Sequence, residues 1–156
     1  MKYSAIALSM VSLLALSACD SGPKSSAPAS TEQGAPITLE SAVNHKDRTP
    51  AYVERDQFRH PKETLEFFEL EPSMTVVEIW PGGGYYSEIL APYLAEEGRF
   101  YAAHFPEDTQ SDYYQRSLNK FKERLTSEAV FGNVELTQFA PLTPLETDIA
   151  PQNSAD

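Results

Sequence analysis

The residues best placed to do chemistry lie in one stretch, Thr75-Val76-Val77-Glu78-Ile79-Trp80-Pro81-Gly82-Gly83-Gly84. A short apolar run from Thr75 to Trp80 ends at a proline and three glycines, and the chain then turns helix-like at Tyr85-Tyr86-Ser87-Glu88-Ile89-Leu90. Strand, glycine turn and helix in that order open a nucleotide-binding βαβ unit. Glycines admit backbone angles closed to other residues and let a ligand approach the main chain. The unpaired N–H groups of the following helical turn then face that ligand. Glu78 supplies the one carboxylate of the strand. Trp80 is either a core residue or a pocket wall, and Tyr85 and Tyr86 are candidates to line the pocket. The competing reading is a plain tight turn, with Glu78 placed to favour the nearby helix N-terminus.

Other reactive side chains are scattered. His45, His60 and His104 lie far apart and have no cysteine partners, so they do not form a metal site. His60 precedes Pro61 and is expected to order a turn. His104 closes an apolar run and reads as a loop histidine or as a ligand contact. No Ser-His-Asp or Cys-His arrangement is visible, which leaves nucleophilic catalysis without support. Cys19 is the only cysteine, so no internal disulfide is possible.

The elements that would position these residues follow from periodicity. Leu39 to Val53 is ambiguous, with a short helix starting at Thr49-Pro50. Pro61 suits the first turn of a helix over Lys62–Leu70, burying Leu65, Phe68 and either Phe67 or Leu70. The first strand, Met74–Ile79, is almost continuously apolar, as expected for a strand covered on both faces. A helix from Tyr85 to about Glu96 buries Ile89, Leu90 and Leu94, with Pro92 expected to kink or shorten it. Arg99–His104 is the second strand. Ser111–Leu125 is the clearest helix, with Tyr114, Leu118, Phe121 and Leu125 inside and Lys120, Lys122, Glu123 and Arg124 outside. Val134–Phe139 is the third strand. Right-handed crossovers make this an α/β fold, a Rossmann-like parallel sheet with flanking helices that stops after about three strands.

The chain of 156 residues carries 23 acidic and 12 basic side chains, a formal charge of −11. Nucleic acid is an improbable partner for such a balance, because phosphate binding needs clustered Lys and Arg. Residues 1–18 read as an export signal. Lys2 gives a positive start, Tyr3 to Leu16 is apolar, and the run is too short for a bilayer of roughly 30 Å. It closes on Leu16-Ser17-Ala18-Cys19, which resembles the lipobox of bacterial lipoproteins; the resemblance implies that Cys19 is lipidated and becomes the mature N-terminus. Asp20 resembles an inner-membrane retention signal of enteric-type sorting. Residues 19–38 are rich in Ser, Ala, Pro and Gly and read as a tether that holds residues 39–156 off a lipid surface. The expected location is the cell envelope, periplasm-facing and membrane-anchored.

The strand with its acidic residue and glycine loop resembles the first motif of class I S-adenosylmethionine-dependent methyltransferases. Arg59-His60-Pro61, Glu63-Thr64-Leu65, Phe67-Phe68 and Ile89-Leu90-Ala91-Pro92-Tyr93-Leu94 resemble a bacterial group of exported, predicted methyltransferases. The resemblance covers roughly residues 45–156. It implies S-adenosylmethionine as cofactor, with Glu78 and Gly82-Gly83-Gly84 facing its methionine part. Three features depart from the pattern. Trp80 stands where the first glycine of the loop usually stands. His104 occupies the place of the acidic ribose ligand at the end of the second strand, with Glu107 or Asp108 nearby. The family's fourth strand starts near Ser154-Ala155-Asp156, where the sequence stops.

Two functions are therefore expected. One is a methyltransferase-like lipoprotein, incomplete, with Glu78, Trp80, Gly82, Gly83, Gly84 and His104 around the cofactor. The other is a non-catalytic envelope lipoprotein that binds a small ligand or a protein partner through the same cleft. A dinucleotide-binding fragment ranks below both, since the glycine spacing does not match G-x-G-x-x-G. With no fourth strand, the edge of the first strand is open to pairing, and a homodimer through that edge is expected.

Overall fold

In the computed structural model, which describes residues 37–140 and 149–156, three parallel strands form one open sheet flanked by helices. This is a Rossmann-like α/β architecture. β1 (Thr75–Ile79), β2 (Arg99–His104) and β3 (Val134–Gln138) lie in the order β1-β2-β3. Thr75 is level with Arg99 and Ile79 with Ala103, while Phe100 is level with Val134 and His104 with Gln138. The C-terminal ends of all three strands therefore meet at Ile79, His104 and Gln138. Hydrogen bonds from the Trp80 N–H to the Ala103 carbonyl (2.8 Å) and from the Phe139 N–H to the His104 carbonyl (2.8 Å) extend the ladder past those ends.

β2 is the central strand and is buried from Phe100 to His104. It is the strand with the fully apolar environment, whereas β1 is only partly buried and Ile79 is half exposed. The expectation that β1 is covered on both faces is thus corrected: β1 is the edge of the three-stranded sheet. At its start the Asp156 N–H donates to the Thr75 carbonyl (3.1 Å), and the Asp156 carboxylate accepts from the Thr75 N–H (2.8 Å).

The helix α5 (Ser87–Tyr93) is the hub of the core. Its first six residues are all buried, among them Ile89, Leu90 and Ala91. A helix apolar on all sides must be covered on all sides, and α1 (Leu39–Val43), β2 and a 3₁₀ turn at Ala129–Phe131 surround it. It is shorter than the periodicity suggests. It ends one residue after Pro92, as a proline that cannot donate to the helix requires.

Local chemistry was under-read before β1. The segment there holds α1, α2 (Pro50–Val53), α3 (Asp56–Arg59) and α4 (Pro61–Phe67), so a helix at Asp56–Arg59 is added to those expected. His60 joins α3 to α4 in the left-handed region at φ 47°, outside the right-handed helical region that Pro61 disfavours for it. Leu65 is buried, but Phe67 and Phe68 are exposed, which corrects their assignment to the core. The long helix α6 (Asp112–Ser127) buries Leu118 and Phe121. Tyr114 is more exposed than its spacing implies, and Arg124 is partly buried rather than outward.

Arg124 faces inward because Glu88 does. Glu88 is fully buried in the first turn of α5 and accepts from the Arg124 guanidinium (2.5 Å), the Thr49 hydroxyl (2.5 Å) and the Thr49 N–H (2.9 Å). Arg48 is buried beside it, with Nε 4.0 Å from a Glu88 oxygen. Arg48 in turn makes a two-pronged pair with Asp56 (2.6 and 3.0 Å). Arg124 also pairs with Glu128 (2.7 Å). These contacts tie the N-terminal helices, α5 and α6 into one unit.

Removing one partner of a buried pair leaves an uncompensated charge. Arg124→Ala should therefore destabilise the chain by roughly 3 kcal/mol, and Glu128→Ala, which leaves Glu88 paired, by under about 1 kcal/mol. Urea unfolding followed through the fluorescence of Trp80, the sole tryptophan, measures both; equal effects would refute the ranking.

Candidate functional site

The loop from Trp80 to Tyr86 joins β1 to α5 and sits at the C-terminal ends of the strands. In open α/β sheets this is where ligands bind. Its backbone is left-handed at Trp80 (φ 52°), Gly82 (φ 61°) and Gly84 (φ 89°). Glycine takes such angles freely, whereas a bulky aromatic residue is strained there. Trp80 thus keeps the backbone course of a glycine at a position where glycine would be unstrained. Its packing offsets the strain. The indole lies against Phe105 (centroids 5.3 Å) and Phe139 (5.8 Å), and its Nε1 donates to the Phe139 carbonyl (3.2 Å). Phe105 stacks in turn on Tyr114 (4.0 Å). An aromatic ledge therefore runs across the ends of the strands, and Trp80 is 40% exposed on it.

Two side chains hold the loop from below. The Arg124 guanidinium donates to the Gly83 carbonyl. His104 Nε2 lies 3.3 Å from the Gly82 carbonyl, while its Nδ1 accepts from the Phe105 N–H (2.8 Å). An accepting Nδ1 leaves the proton on Nε2, so the ring is a neutral donor to Gly82. Burial lowers the His104 pKa, and the Gly82 carbonyl offsets this only in part. Tyr52 closes the loop from above, since a Cβ at Gly83 would collide with its hydroxyl.

Glu78 projects from β1 toward α5 and accepts from the Ser87 hydroxyl (2.6 Å). Loss of hydration pushes its carboxyl up to about 7, against the opposing pull of that hydrogen bond. Tyr85 donates to Asp56 (2.6 Å), and its ring is edge-on to Tyr52 and Tyr86. Burial, then the Asp56 carboxylate, raise its pKa.

Glu78, Trp80, Gly82, Gly83, Gly84 and His104 are thus brought to one end of the sheet, as the sequence suggests. His104 is not a loop residue: it is the last residue of β2 and fully buried. Both of its ring nitrogens are engaged within the chain, so neither is open to a ribose. His45 and His60 lie on the N-terminal helices. His45 Nδ1 accepts from the Asp47 N–H (3.3 Å), and the His60 ring is 4.0 Å from Glu63. Among the described residues no three His, Cys, Asp or Glu side chains form a metal-binding group. Cys19 and the segment 1–36 lie outside the described residues.

Sequence reasoning missed the groups that build the floor and walls of the site: Thr49, Tyr52, Glu88 and Arg124. Glu88 had a signal, an acidic residue inside an otherwise apolar helix. Arg124 had none, because its neighbours Lys122 and Glu123 make the same stretch look solvated. No protein-family model matches the chain, and neither the curated proteins nor the solved structures yielded a match.

The raised Glu78 pKa makes the folded state hold a proton that the unfolded chain releases near pH 4.5. Stability should therefore fall as pH rises from about 4.5 to 7 and stay level above that, by at most about 3 kcal/mol. Glu78→Gln should abolish this component. Urea unfolding of both proteins between pH 4.5 and 8 measures it, and a pH-independent difference between them would exclude the shifted carboxyl.

Proposed function

We propose that the chain is a methyltransferase-like envelope lipoprotein whose β1–α5 loop binds S-adenosylmethionine. The observation that supports this is the backbone of the loop. Trp80, Gly82 and Gly84, three alternate positions, are left-handed immediately after a strand that carries an acidic residue. That is the course a Gly-x-Gly-x-Gly loop takes, kept even where the residue is tryptophan. The loop fits the methionine end of the cofactor. The Glu78 carboxylate would meet its ammonium group, and the pairing would return Glu78 to the charged form. The main chain of Gly82-Gly83-Gly84 would lie along it, and the aromatic ledge at Trp80 would exclude water. When bound, the cofactor supplies an electrophilic methyl group; the chain's own part is to position it.

The ribose end fits less well, because His104 is consumed by Gly82 and Phe105. That observation favours the second reading, a non-catalytic lipoprotein that binds another small ligand or a protein through the cleft. Past Thr75, which bonds Asp156, the outer edge of β1 has no strand partner among the described residues, and this supports the homodimer proposed for either case.

Calorimetric titration with S-adenosylmethionine and S-adenosylhomocysteine decides between the two. The first reading expects micromolar binding of both, weakened about tenfold by Glu78→Gln through loss of a charge-assisted contact. Absence of binding would sink it and leave the second.

The anchor is tested separately. The apolar run closing on Leu16-Ser17-Ala18-Cys19 supports lipidation at Cys19. In bacterial cells fed a labelled fatty acid, the chain should take up label and Cys19→Ala should not. Equal labelling of both would refute the anchor.

A further inference from the structure

Six of the ten Lys and Arg side chains among the described residues lie within 4.0 Å of a carboxylate. The four that do not are Arg55, Arg59, Arg116 and Lys120. Two of the four share a location. Arg116 and Lys120, one turn apart on α6, line a cleft of about 380 Å³ over Gly82 and Gly83, together with Tyr52, Tyr113 and Ser117. Among the described residues no carboxylate lines this cleft. The Tyr52 ring meets Tyr85 at 5.7 Å, and the guanidinium groups of Arg59 and Arg55 lie 4.7 and 5.5 Å from the Tyr85 ring centre.

The main chain under the cleft has the same polarity. The carbonyls of Gly82 and Gly83 are taken by His104 and Arg124. The N–H groups of Gly82 and Gly83 donate to no backbone carbonyl or side chain among the described residues. At these two glycines the carbonyls are engaged and the N–H donors are spare. Add a guanidinium, an ammonium and the hydroxyls of Tyr52 and Ser117, and the cleft matches a multiply charged oxyanion.

We propose that the cleft between α2 and α6, over Gly82 and Gly83, binds a phosphate group. Phosphate fits better than a carboxylate, because two cations without a carboxylate partner among the described residues line the cleft and a phosphate monoester carries more charge and more acceptor oxygens. The site shares Gly82 and Gly83 with the cofactor reading but does not rest on it: S-adenosylmethionine bears no phosphate, so failure of either titration leaves the other proposal standing. The phosphate could belong to a soluble small molecule or to a lipid headgroup, and the two sources are separable.

The test is calorimetry on the full chain with inorganic phosphate, pyrophosphate, acetate and water-soluble dihexanoyl phosphatidic acid, with dihexanoyl phosphatidylcholine as control. Pyrophosphate or phosphatidic acid should bind saturably at about millimolar affinity or better, at least about tenfold tighter than acetate, and more weakly as salt rises. Arg116→Gln/Lys120→Gln should weaken that binding about tenfold or more. Both side chains are exposed, so an unchanged urea midpoint is expected and separates lost binding from lost folding. Binding of pyrophosphate marks a soluble ligand, and binding of phosphatidic acid alone marks a headgroup; both support the site. The proposal is overturned if neither binds, if acetate or phosphatidylcholine binds equally well, or if the double variant binds as the parent does.

Discussion

The buried carboxylate of Glu88 is the interaction on which the rest of this structure depends. It sits in the first turn of a helix that is otherwise apolar, with no exposed surface. A lone carboxylate there would be very costly. Its cost is met by a guanidinium from α6, a hydroxyl and an N–H from Thr49, and a second guanidinium 4.0 Å away. Those partners come from two parts of the chain, Arg48-Thr49 and α6, so satisfying one buried charge on α5 fixes three segments relative to each other. An apolar residue could have filled the same volume at comparable or better stability. What the charge adds is orientation, since hydrogen bonds are directional and apolar contacts are not.

That orientation reaches the candidate site through Arg124. The same guanidinium that pairs with Glu88 donates to the Gly83 carbonyl, and His104 does the corresponding work at Gly82. A loop with left-handed angles at three positions would otherwise be free to sample others. Held by two carbonyls, and closed by the Gly84 N–H on the Pro81 carbonyl (2.9 Å), it leaves the N–H groups of Gly82 and Gly83 without a partner among the described residues. The core network and the ligand loop are therefore one construction: α6 is positioned by Glu88, and the loop is positioned by α6.

Much of this was legible in the residues. The three strands, the glycine turn and α6 follow from apolar runs, glycine and proline punctuation and helical spacing. β2 emerged at its expected bounds because its run, Arg99 to His104, is bracketed by Gly98 and Pro106. The failures share a cause. Phe67 and Phe68 look like core by type, and Arg124 looks like surface by type, yet tertiary partners decide both. The helices before β1 are four to seven residues long, too short for periodicity to register. His104 was ambiguous because a histidine at a strand end reads equally as ligand or as packing. Only the positions of Gly82 and Phe105 show that its nitrogens are spent.

The placement of charge says the most about function. Acidic side chains outnumber basic ones by 11, and most described cations are neutralised by a neighbour. At the cleft over Gly82 and Gly83, Arg116 and Lys120 have no carboxylate partner among the described residues, and the N–H groups of both glycines are spare. Salt bridges at a surface contribute little to stability, so leaving these two cations unpaired costs the fold almost nothing. Desolvating such a cluster would be unfavourable, and like charges brought together repel. A cluster of this kind is tolerable while hydrated and becomes favourable when an anion fills it. Trp80 strains the same loop from the other side. A loop that bears both a strained aromatic and unpaired cations departs from the economy of the rest of the chain, and such departures concentrate where a ligand is held.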